Sequence, residues 1–145
     1  MSEPPAPIAG ATQPTGSAVP SRGPSRALAF REMLAELSKL ERVRGGLIVT
    51  PDGLVITTNL PSQSPADALA AFGATLGREL ELGADRLGRG GFNAAVFSAA
   101  DGTIFVGGHP IGFLVLIGDQ DVDVAAVRSA LGQALDRLRT PVANA

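Results

Sequence analysis

Apolar positions recur about every 3.6 residues, then every second residue or in short runs, then helically again, and each change of period marks a boundary between elements. Between Ser25 and Arg44, Phe30, Met33, Leu34, Leu37 and Leu40 share one stripe while Arg31, Glu32, Glu36 and Lys39 lie off it. The spacing predicts a helix capped by Ser25 and stopped by Gly45-Gly46. Leu47-Ile48-Val49 and Leu54-Val55-Ile56 then flank Pro51-Asp52-Gly53, the signature of a β-hairpin. Both runs are nearly unbroken, so the sheet is expected to be covered on both faces. Asn59 to Ser64 is a polar connection, and Ser64-Pro65 predicts an N-cap followed by a proline at the first helical position.

From Pro65 to Leu82 the period is helical again. Leu69, Phe72, Leu76 and Leu80 fall on one side and Asp67, Ala71, Thr75 and Arg78 on the other, which predicts a crossover helix laid on the sheet by its large residues. Beside that face runs a strip of small residues, Ala66, Ala70, Ala74 and Gly77. Gly73 and Gly77 each cost a helix interior about 1 kcal/mol relative to Ala, so close packing has to favour them. Either a second helix approaches along the strip, or the glycines make room against the sheet. After a glycine-rich connector, Phe92 to Ser98, Thr103 to Val106 and Ile111 to Gly118 read as a three-strand meander with turns at Ala99 to Gly102 and Gly107 to Pro110. Val124, Val127, Leu131, Leu135 and Leu138 predict a last helix ending near Arg139.

Composition narrows the chemistry. A length of 145 residues suits one domain, placed at 25–140, preceded by a disordered tail over 1–24 that holds six of the eleven prolines and followed by a short tail over 141–145. A net charge of −2 with scattered arginines argues against nucleic acid as partner. The absence of cysteine excludes disulfides, thiolate catalysis and Cys-based metal sites. Neither a secretory leader nor an apolar run near the roughly 20 residues of a membrane span is visible, so a cytoplasmic protein without membrane insertion is expected. Gly88-Arg89-Gly90-Gly91 leads into a strand and lacks a Lys-Ser/Thr pair, unlike a phosphate loop. The lone His109 sits in a predicted turn without an evident partner, and Asp119, Asp121 and Asp123 lack the Gly and Glu of a calcium loop. No catalytic residue, cofactor or metal is therefore expected, and the chain reads as a binding module rather than an enzyme. A small-ligand site near His109 is the alternative of a different class.

The order of elements, with GGLIVTPDGLVITTNLP, the helix segment AFGATLG and IFVGGHPIGFLVLIG, resembles the Roadblock/LC7 family over residues 26 to 139. The resemblance implies an α+β sandwich of profilin-like type: a five-stranded antiparallel sheet with the crossover helix on one face and the terminal helices on the other. It further implies a homodimer, or a heterodimer with a paralogue, built by pairing crossover helices and the strand that follows. That assigns Ala66, Ala70, Gly73, Ala74, Gly77, Phe92, Ala94 and Val96 to the dimer interface. Members of the family bind and regulate small Ras-like GTPases or act as dimeric adaptors. The expectation carried over is a non-catalytic dimer that binds such a GTPase and modulates its nucleotide cycle; the alternative is a scaffold without effect on nucleotide turnover. Arg78, Arg86 and Arg89 are the arginines nearest the expected partner surface.

Overall fold

The computed structural model describes residues 18–139, with side chains placed over 26–138. The elements are α1 (Ala18–Leu37), β1 (Val43–Val49), β2 (Val55–Thr58), α2 (Ala66–Arg86), β3 (Ala94–Ala99), β4 (Gly102–His109), β5 (Gly112–Gly118) and α3 (Val124–Arg139). The strands form one sheet in the order β2-β1-β5-β4-β3, every neighbouring pair antiparallel. As expected, α2 covers one face and the terminal helices cover the other.

Alternation along the central strands builds the two cores. On β5, Leu114 and Leu116 join Phe30, Leu34 and Leu131 beneath α1 and α3, whereas Phe113 and Val115 join Ala70 and Ala74 beneath α2. On β1, Ile48 serves the first core and Leu47 and Val49 the second. This is why both strands read as unbroken apolar runs: each position faces a helix layer, and each buried large side chain contributes about 1.5–3 kcal/mol. The rule fails at β2, an edge strand with Val55 and Ile56 exposed on it and Leu54 exposed before it.

Several boundaries differ from the expectation. Helix α1 begins upstream of Ser25, which lies within the helix rather than capping it, and it ends at Leu37 rather than Arg44. Of the tail expected to be disordered over 1–24, residues 18–24 open α1, while 1–17, like 140–145, lie outside the described residues. The stop is made by side chains, not by Gly45-Gly46. The Asn59 carboxamide donates to the Leu34 carbonyl (3.4 Å) and to Ser38 Oγ (2.7 Å), and its oxygen accepts from the Gly46 N–H (2.9 Å). Arg42 then reverses the chain with φ 68°. Gly46 instead lies inside β1, where a Cβ would stand 2.3 Å from the Val115 carbonyl oxygen. Because Asn59 joins α1, β1 and the end of β2, Asn59→Ala is expected to cost about 1–3 kcal/mol, the penalty for stranding hydrogen-bonded groups, read as a lower urea midpoint.

Helix α2 starts at Ala66 with Pro65 as its cap residue and no side-chain cap, so the expected Ser64 cap is not made. It also runs through Gly83 to Arg86, past the predicted end at Leu82. Strand β4 continues through Gly107 and Gly108 to His109, where a turn was expected. A Cβ on Gly107 would stand 2.5 Å from Leu135 and one on Gly108 2.5 Å from the Phe92 carbonyl oxygen, so these glycines are packing positions. Gly83 and Gly132, by contrast, lie in helices with no atom within 4 Å of an added Cβ. Gly83→Ala and Gly132→Ala should each raise stability by about 0.5–1 kcal/mol, seen as a higher melting temperature.

Candidate interaction site

The crossover helix meets the sheet with its small residues. Ala70, Gly73, Ala74 and Gly77 are its buried positions. A Cβ on Gly73 would lie 2.5 Å from Val115 Cγ2, and one on Gly77 2.5 Å from the Phe113 ring. These four, assigned to the dimer interface from the sequence, are consumed inside the chain, and the alternative that the glycines make room against the sheet is the one realised. The physical reason is volume: Phe113 and Val115 fill the layer from the sheet side, leaving space only for alanine and glycine on the helix. Phe92, also assigned to the interface, precedes β3 and is buried against Phe113, ring centroids 6.5 Å apart. Ala66 and Ala94 are half-buried, and Val96 is exposed on β3.

The large residues of α2 consequently point sideways. Leu69, Leu76 and Leu80 are half-buried at the border of the second core, and Phe72 remains 37% exposed. The backbone of α2 lies over β5, β1, β4 and the near part of β2, and only side chains reach from it to β3. The flank of the helix and the uncovered part of the sheet therefore form an apolar step. Phe72 meets Phe97 of β3 across it at 5.9 Å between ring centroids, and Phe97 is 46% exposed. The step adjoins the open edge of β3, whose unpaired backbone groups are a template for another strand. Periodicity places Phe72 on the face expected to lie on the sheet, and Phe97 falls in the strand 92–98 expected at the dimer interface; the pairing of the two rings was out of reach, since an apolar residue in a strand gives no sign of which face it takes.

On the opposite flank, the last turns of α2 overhang the β1–β2 and β4–β5 turns, leaving an open groove of ≈ 580 Å³. Pro51, Leu82, Pro110 and Phe113 supply its apolar surface, with Arg78, Glu81, Asp85 and His109 at its rim. A second depression of ≈ 340 Å³ continues it past Glu81, His109 and Pro110 toward Phe92 and Asn93. The Arg78 guanidinium donates to the Pro51 carbonyl, tying α2 to the hairpin. His109 stacks edge-on against Phe30 (5.8 Å), and its Nδ1 accepts from the Ile111 N–H (3.3 Å). Of the three arginines nearest the expected partner surface, Arg78 lines the groove, Arg86 ends α2, and Arg89 lies in the connector, its backbone N–H bonded to the Ala84 carbonyl (3.0 Å). Among the described residues there is no cluster of three His, Asp or Glu able to hold a metal, and no helix long and apolar enough to cross a membrane.

A five-stranded antiparallel sheet with α2 on one face and α1 and α3 on the other, and an apolar step beside an open strand edge, is a module of the α+β sandwich class. The chain belongs to the Roadblock/LC7 domain family, whose model matches residues 29–107. It is 27% identical to the uncharacterized protein MJ0310 of Methanocaldococcus jannaschii over 107 residues, 74% of this chain and 94% of that one. Among solved structures it resembles MglB of Myxococcus xanthus, with a TM-score of 0.70 at 19% identity over 78% of this chain and 86% of that one. It also resembles a Roadblock/LC7 domain from Streptomyces avermitilis, with a TM-score of 0.65 at 18% identity over 74% and 92%.

Proposed function

We propose that this chain acts as a dimer, with itself or with a paralogue, that binds a small Ras-like GTPase and modulates its nucleotide cycle without catalytic residues of its own. The observation that carries the dimer is the apolar step of Phe72 and Phe97 beside the open β3 edge. A second copy related by a two-fold axis would pair its β3 with this one and lay its α2 on the uncovered part of the sheet, burying both phenylalanines and Val96. Membership of the Roadblock/LC7 family and likeness to MglB support the GTPase as partner.

The mode of action follows from where the arginines lie. Of the three arginines nearest the expected partner surface, Arg78 is engaged within its own chain, which makes Arg86 and Arg89 the first candidates for an arginine supplied in trans. A platform that repositions the switch residues of the GTPase needs neither. The test is a pull-down of Ras-like GTPases with GDP and with a non-hydrolysable GTP analogue, followed by single-turnover hydrolysis with the purified partner. Selective recovery with the analogue and at least a ~10-fold faster hydrolysis are expected of an activator. Loss of that stimulation in Arg86→Ala/Arg89→Ala would assign the arginine; its retention would assign the platform. Recovery of other proteins indifferent to nucleotide would favour the scaffold.

A further inference from the structure

Resting on that reading, we infer that the groove between the overhanging end of α2 and the β1–β2 and β4–β5 turns is where the partner docks, through an extended segment carrying an apolar side chain next to a lysine or arginine. The groove and its continuation past Pro110 share Glu81 and His109 and are open rather than enclosed, the form that suits a peptide strand better than a compact ligand. Its apolar surface, from Leu82, Phe113, Pro51 and Pro110, offers a seat for one hydrophobic side chain.

Charge specifies the neighbour of that side chain. Glu81 and Asp85 are one helical turn apart on α2 and both line the groove, so their carboxylates flank the same stretch of it. Neither is in a salt bridge among the described residues. The cation at the rim, Arg78, is turned to the Pro51 carbonyl. A basic side chain arriving here would gain two exposed carboxylates, whereas an acidic one would be repelled, so the groove selects as well as attracts.

The location matters too. The main depression, beside Arg78, Leu82 and Asp85, lies on the flank of α2 opposite Phe72, so a second copy seated on the Phe72–Phe97 step would leave that part open on each chain of the dimer, while the continuation runs up to the start of β3.

The test is the affinity of the purified dimer for the Ras-like GTPase of the same organism, loaded with the non-hydrolysable analogue, by titration calorimetry at low and high salt. Glu81→Lys/Asp85→Lys is expected to weaken binding at least 10-fold, and Glu81→Gln/Asp85→Asn by less, with the wild-type affinity falling as salt rises. Both pairs are exposed, and sedimentation should show them folded and dimeric like the wild type. Wild-type binding that both pairs of substitutions leave unchanged would overturn the groove and leave the regulator reading standing. Absence of any wild-type binding would overturn the regulator reading and the groove with it.

Discussion

Replacing Gly77 with valine should lower the melting temperature by roughly 4–8 °C, and the drop should be the same across a hundredfold range of protein concentration. The added Cβ would lie 2.5 Å from the Phe113 ring, closer than real contacts allow, and the γ-methyls would go further into the same space. Relief requires moving a buried ring that is itself packed against Phe92. Overpacking of this kind costs about 1–3 kcal/mol, more when the neighbour cannot yield, while the gain in helix propensity over glycine is under about 1 kcal/mol. The clash wins. At roughly 4 °C per kcal/mol for a domain of this size, the loss is readily measured by circular dichroism. Independence of concentration is the informative part, because the clash is within one chain. A G77V protein that melts like the wild type but no longer dimerises would return the small-residue strip to the interface and refute the packing described here.

The second large effect is expected at the apolar step. Phe72→Glu together with Phe97→Glu should raise the dimer dissociation constant more than 100-fold, with little loss of cooperative folding in the resulting monomer. Both rings are partly exposed in the single chain, so little intrachain burial is lost. Across a two-fold axis each would be covered, and hot-spot aromatics at the centre of an interface are worth about 2 kcal/mol or more apiece. Burying an unpaired carboxylate there costs further, which makes the glutamate a stronger test than alanine. Sedimentation velocity across a dilution series is the measurement. A dimer that survives both substitutions, or a wild type that is monomeric at high concentration, would sink the proposed assembly.

These two predictions point to opposite sides of one helix, and the sequence could not have assigned them. Helical periodicity from Ala66 to Arg86 is strong enough to show a face of large residues and a strip of small ones, but both are apolar, and a helix can rest on either. Fold class was legible because it depends on period and punctuation: unbroken runs at Leu47 and Phe113, Pro51-Asp52-Gly53 between strands, helical spacing elsewhere. Most of what misled lay at glycines and caps. Gly45-Gly46 and Gly107-Gly108 look like breaks along the chain, yet they are places where another backbone or a leucine comes close, a property of neighbours distant in sequence. The groove was out of reach as well, since Pro51, Glu81 and Pro110 meet only when the turns and α2 are brought to one end of the sheet.

The sequence by itself determined the number and kinds of elements, the two-sided burial of the central strands and the family, because those follow from local periodicity and from a linear pattern. Only the tertiary structure decided which face of α2 is spent within the chain and which stays partly exposed. The reason is that two layers must share one volume. With Phe113 and Val115 projecting from β5, the space left beneath the helix fits Ala70, Gly73, Ala74 and Gly77, and the large residues are turned outward by exclusion.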